Sequence, residues 1–315
     1  MFNRYWREYP WVLQITLFGL MAFTMTAFSA VVVQALIPKI SGLSIAAIQD
    51  ITIESTNGQK SAFLWMQGIV SAFGFMIPPV LFAYLSTPRV KEYLGIRMPK
   101  NPLHIILGVT MMAGAMPILL EIAGLIKNIN LGTANDAAQN KIEQITEALL
   151  DIKSAGQLVQ VLVVMAVIPG IGEELFFRGI LLRFGHQRAG KMLLPIIISS
   201  LIFAAVHGTP YNLVSIAIAG ALLCLIYYWS GSLVTGMIAH MVYNGSQIYL
   251  SYAAKDNAAL KELAKNNHMP PAILITGIIV FAVSIFAFWK TRNTMPANWS
   301  ANFTPEEIQE QNENR

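Results

Sequence analysis

Apolar residues dominate the chain in eight runs, at about 11–36, 62–86, 102–125, 157–184, 191–207, 211–229, 231–252 and 272–289. A bilayer core about 30 Å thick demands roughly 17–25 such residues of a crossing helix. A helix that is apolar around most of its circumference has no aqueous face, and helices satisfy their own backbone in lipid. The pattern therefore predicts an all-α polytopic membrane protein, a bundle of about eight transmembrane helices. Between the third and fourth runs the period changes. NDAAQNKIEQITEALLDIKS places Ile142, Ile145, Leu149 and Ile152 on one helical face with polar residues opposite, which predicts an amphipathic helix outside the membrane. AAKDNAALKELAKNN repeats the pattern more weakly, and the polar tail from Thr304 has nothing to bury and is expected to be disordered.

Composition sharpens this picture. Hydrophobic residues make up 55% of the 315 and charged ones 12%, and the mean hydropathy is +0.54. An ordinary soluble domain carries about 25% charged residues, so that class is excluded. The net charge of +4 is no sign of nucleic acid binding, because the basic residues gather in alternate connections: Arg4 and Arg7, then Arg89, Lys91, Arg97 and Lys100, then Arg183, Arg188 and Lys191, then Lys290 and Arg292. Lysines in the other connections are diluted among acids. The positive-inside rule then puts both termini in the cytoplasm, and the short basic loops suit a bacterial inner membrane, with the endoplasmic reticulum as the alternative. The first run is about twice as long as a signal-peptide core, which favours a retained signal anchor. The single cysteine, Cys224, excludes a disulfide framework and is read as a small packing residue.

The fourth run raises a question of cost. It contains GEELFFRGILLRF, with Glu173, Glu174 and Arg178, although a lone charge facing lipid costs at least about 2.5–3.5 kcal/mol. Glu174 and Arg178 are four apart and can form a purely structural ion pair. Glu173 points about 100° away around the helix and needs its own partner. Polar residues recur in two later runs: FAAVH ends the fifth with Phe203 and His207 four apart, and HMVYN puts His240 and Asn244 on one face of the seventh. A lone histidine in an apolar helix is often no more than a hydrogen-bonded packing residue, but three polar clusters on three runs point to one shared site. At about 1.5 Å per residue, Glu173, Glu174, His207, His240 and Asn244 fall about 14–24 Å from the cytoplasmic ends, close enough in depth to meet. Pro169 cannot donate to the carbonyl of Met165, and Gly170 and Gly172 loosen the helix just before the carboxylates.

EELFFR, FAAVH and HMVYN, in that order and each in its own run, resemble the EExxxR, FxxxH and HxxxN/D motifs of the CAAX prenyl protease and bacteriocin-processing (CPBP, abortive-infection) family of intramembrane proteases. The resemblance covers about residues 157–252. It implies an eight-helix membrane endopeptidase with a buried active site, and a division into N-terminal helices (1–155), catalytic core (156–252), a loop and last helix (253–292) and a tail (293–315). It makes Glu173 the base that activates water and His207 a holder of that water. His240 and Asn244 then stabilise the oxyanion, and Glu174 and Arg178 orient the site. The residue chemistry is compatible with those roles. Amide hydrolysis needs a base and fixed donors where negative charge develops, and no serine or cysteine stands beside a histidine in these motifs. A metal-independent mechanism is favoured; the alternative is zinc held by Glu173, His207 and His240, with no HExxH in the chain. The expected partners are the lipid bilayer and a hydrophobic, lipidated or membrane-anchored peptide. A non-catalytic scaffold or immunity-type binder is the competing reading, and a proton-coupled transporter is disfavoured by the lack of an inverted repeat.

Overall fold

The computed structural model describes residues 5–257, Leu260 and residues 268–293, and these are helical throughout apart from turns and connections. The polar tail and most of the second amphipathic stretch lie outside the described residues. The principal helices are α1 (Trp11–Ser41), α2 (Asn57–Ser86), α3 (Leu103–Lys127), α4 (Thr133–Leu150), α5 (Ala155–Ala189), α6 (Leu193–Val206), α7 (Leu213–Ser230), α8 (Leu233–Ala253) and α9 (Pro271–Thr291). Their ends follow local chemistry. Thr56 and Gln59 form a reciprocal capping box at the start of α2, Ser154 caps α5 and Ser232 caps α8. Gly42, Gly190 and Gly231 end α1, α5 and α7 in the left-handed conformation, which glycine adopts without a Cβ penalty.

Among the described residues six helices are long and apolar enough to cross a membrane: α1, α2, α3, α5, α9 and the Pro210–Ser230 segment that contains α7. The chain is an integral, multi-pass membrane protein. The two other runs differ for physical reasons. Helix α6 has 14 residues, about 21 Å of rise, and α8 has the length but carries Thr235, His240, Asn244, Ser246 and Gln247. Bulky side chains such as Phe23, Leu193 and Val283 point outward, as a lipid surface requires.

Helix α5 lies at the centre. Its Leu175, Ile180 and Phe184 pack with Phe18 of α1, Phe82 of α2, Cys224 and Tyr227 of α7, and Leu233 of α8. On the other side α3 and α9 approach closely, because a side chain at Gly114 would meet the backbone of Phe281 at 2.5 Å and one at Gly277 would meet Pro117 at 2.3 Å. The amphipathic helix α4 packs Ile145, Ala148 and Leu149, with Ile152 beyond its end, against α1, α2 and α5. Just after α4, Asp151 accepts hydrogen bonds from three ammonium groups: Lys153 at 2.7 Å, Lys255 at 3.0 Å and Lys60 at 3.3 Å. The Lys153 bond first, and then those from Lys255 and Lys60, hold its carboxyl well below the usual range.

Candidate active site

Local backbone chemistry sets up the carboxylates. In α5, wide π-helical turns at Val163–Val167 and Glu174–Leu181 flank the stretch Ile168–Glu173. Such turns occur where the regular bond ladder is broken, and Pro169 breaks it here by having no N–H for the Met165 carbonyl. That carbonyl is reached instead by Nδ2 of Asn244, in a long contact of 3.4 Å. Proline on α5 and asparagine on α8 thus meet at one oxygen. The glycines permit the close approach, since a Cβ on Gly170 would lie 2.5 Å from Met241 and one on Gly172 would lie 2.8 Å from Met76.

The ion pair read from the sequence is present and fully buried. Arg178 Nη1 donates to Glu174 Oε1 at 2.8 Å, and Nη2 donates to the Gly220 carbonyl at 2.8 Å. The guanidinium also lies 4.7 Å from the centre of the Phe203 ring, a cation–π contact. The same Oε1 of Glu174 is 3.1 Å from Nδ1 of His240. A carboxylate can only accept, so Nδ1 of His240 carries the proton of that bond. His207 is fixed in the same sense, because its Nδ1 donates to the Phe203 carbonyl, in the last turn of α6, at 2.6 Å. Both histidines therefore turn Nε2 toward Glu173. Its Oε2 is buried and without a hydrogen-bond partner, 3.8 Å from His240 Nε2 and 4.0 Å from His207 Nε2.

Glu173, His207, His240 and Asn244 line one cavity of about 910 Å³, which extends between α1 and α2 on one side and α3 and α7 on the other. Glu174 and Arg178 stand behind it, at 0% exposure. The six residues singled out in the sequence are thus brought into one neighbourhood. Glu173, His207 and His240, the residues that would hold a zinc ion, face one another with Glu173 Oε2 at 3.8 and 4.0 Å from the two Nε2 atoms, and among the described residues no group of three His, Cys, Asp or Glu side chains is close enough to form a metal site.

Two contributors have no counterpart in the sequence reading. Gly220 supplies the carbonyl that holds Arg178, and Gly236 lets α8 lie against Glu174, since a Cβ there would be 2.9 Å from Oε2. Gly236 stands four residues before His240, on the same face, and that spacing was the available signal. Cys224 is fully buried in the core.

No curated protein and no solved structure matches the chain. Residues 155–246 do match a family model, described as type II CAAX prenyl endopeptidase Rce1-like. The matched stretch runs from the start of α5 into α8 and contains every residue of the buried cluster, so the similarity to CAAX protease, Rce1-like proteins lies over that part of the chain.

Proposed function

We propose that the protein is an intramembrane endopeptidase that hydrolyses a peptide bond of a hydrophobic or membrane-anchored substrate with water activated by Glu173. The observation that supports this best is the convergence of a buried, unpartnered carboxylate oxygen with two imidazole Nε2 atoms at 3.8 and 4.0 Å. These spacings are too long for direct hydrogen bonds and suit one oxygen atom bonded to all three. The proton positions give that oxygen a consistent set of partners. His207, protonated at Nδ1, offers a lone pair at Nε2, and Glu173 offers another, so a water donates one proton to each. A proton at Nε2 of His240, beside the one at Nδ1, lets that ring donate to the water oxygen.

In the reaction Glu173 takes a proton as the water oxygen bonds to the scissile carbonyl carbon. The C=O π electrons move onto the carbonyl oxygen, which His240 and the second N–H of Asn244 stabilise. Collapse of the tetrahedral adduct breaks the C–N bond, and the proton passes from Glu173 to the leaving amine. Glu174, clamped by Arg178, holds His240 in its ring orientation, a positioning role. No metal is needed for these steps. The rest of the assignment goes with this reading: α6 and α8 complete an eight-helix bundle around a core at 156–252, both termini are cytoplasmic, and the setting is a bacterial inner membrane.

The test compares peptide ends in membranes carrying the wild-type protein with those carrying Glu173→Gln at equal abundance. New termini are expected with wild type alone, and His207→Ala and His240→Ala are expected to behave as Glu173→Gln does. Identical termini, in cells where the glutamine variant keeps the wild-type phenotype, overturn the reading and favour a scaffold.

A further inference from the structure

The cavity holds polar side chains that the hydrolytic chemistry does not use. Gln34 on α1, Gln67 on α2 and Gln49 in the short helix Ile45–Gln49 all line it. None of the three makes a hydrogen bond among the described residues, whereas Gln247 in the same lining bonds to the Tyr243 carbonyl. Gln34 and Gln67 lie about 10 and 15 Å along their helices from Ser41 and Asn57, inside spans that are predominantly apolar. All three glutamines are exposed, so their amides are open to a ligand that enters the cavity. At Gln67 the helix touches α5, because a Cβ on the neighbouring Gly68 would lie 3.4 Å from Ile168 and 3.6 Å from Val164. The amides thus lead along the α1–α2 wall toward Glu173.

A primary amide offers one acceptor and two donors, which match the C=O and N–H of a peptide unit. It carries no charge with which to bind an ionic group. The ionisable members of the lining are Glu173, His207, His240 and the phenol of Tyr243, so a substrate carboxylate entering here meets Glu173 and no lysine or arginine. The same lining includes Val33, Phe63, Met66 and Met112, which suit apolar side chains.

We infer that Gln34, Gln49 and Gln67 bind the backbone of an uncharged, extended internal peptide segment, and that this backbone, not a terminal carboxylate or an attached lipid, is the recognised feature. The inference deepens the proposed protease function and rests on it.

The probe is a short fluorescent peptide of alternating leucine and alanine, acetylated and amidated at its ends, and its binding is measured to full-length Glu173→Gln protein in lipid nanodiscs. Gln34→Leu and Gln67→Leu are each expected to weaken binding about two- to tenfold, the worth of one neutral hydrogen bond. The same peptide N-methylated along its backbone is expected to bind weakly and to be indifferent to both substitutions. Equal binding of the methylated peptide overturns the inference whatever the variants do, and so does tighter binding of an S-farnesylated peptide with a free carboxylate. Failure of the protease reading looks different: the peptide binds through its backbone, but the protein with Glu173 intact leaves it uncut.

Discussion

Gly236→Ala puts the supporting role of Glu174 at risk without removing any charged or polar group. The added Cβ lies 2.9 Å from Glu174 Oε2, and ordinary contact begins at 3.4 Å, so something must give by about 0.5 Å. The carboxylate has little room to retreat, because Oε1 is bonded to Arg178 at 2.8 Å and to His240 at 3.1 Å and the side chain is fully buried. Overpacking costs about 1–3 kcal/mol, and alanine in place of glycine returns about 1 kcal/mol of helix propensity, so the variant is expected to fold with a loss of at most about 2 kcal/mol. Catalysis is less forgiving. A displacement near 1 Å at a reacting group costs about 100-fold, so half of that, passed through Glu174 to His240, is expected to cost about tenfold. The control is Gly245→Ala on the same helix, whose Cβ meets Leu162 at 3.6 Å and Ala166 at 3.8 Å, both ordinary contacts. It is expected to keep its activity and to gain up to about 1 kcal/mol. The assay is the yield of Glu173-dependent peptide ends at equal protein abundance, beside thermal unfolding of each purified variant. Wild-type yield from Gly236→Ala, or an equal loss in Gly245→Ala, refutes the reasoning.

Other consequences are testable in the same membranes. Asn244→Ala is expected to lower turnover about 100- to 1,000-fold while leaving a measurable residue, as removal of one oxyanion donor does. Arg178→Met leaves the buried Glu174 with His240 but without its cation and is expected to cost about 3–5 kcal/mol in unfolding measurements, with part of the loss recovered in the double variant Arg178→Met/Glu174→Leu. Asp151 has a lowered folded-state pKa, so its contribution to stability is complete above the unfolded-state value near 3.9 and is lost as pH falls below it. The melting-temperature advantage of wild type over Asp151→Asn is therefore expected to be full at neutral pH and to shrink on acidification below about pH 4; an advantage that grows with acid contradicts the assignment.

The apolar runs were legible because lipid imposes one rule on every crossing segment, and α1, α2, α3, α5, α7 and α9 follow it. The buried cluster was legible for the opposite reason, since charge inside such a run is too costly to stand without a partner. Helix α8 shows the two signals interfering: Thr235, His240 and Asn244 mark it as special and also lower its hydropathy. What stayed hidden was whatever depends on facing a particular neighbour. Pro169 announced a carbonyl without a helical donor, but nothing near it in sequence says that Asn244, 79 residues from Met165, reaches it. Gly220 and Gly236 are ordinary in their own helices, and their roles exist only because Arg178 and Glu174 lie against them. Gln34 and Gln67 were lost among apolar neighbours because periodicity gives a position around a helix and not the space beyond it.

The three-lysine knot at Asp151 bears on how the chain is made. Lys60 precedes the aspartate by 91 residues and Lys255 follows it by 104. A ribosome delivers these partners long apart, the last of them only after α8 has been synthesised. Until then a nascent chain holds Asp151 with Lys60 and Lys153 alone, and the end of α8 is not yet tied to the segment that joins α4 to α5. Closure of the knot is thus a late event in biogenesis, and a chain terminated between α8 and Lys255 contains every residue of the buried cluster yet lacks the bond that ties its last helix in place.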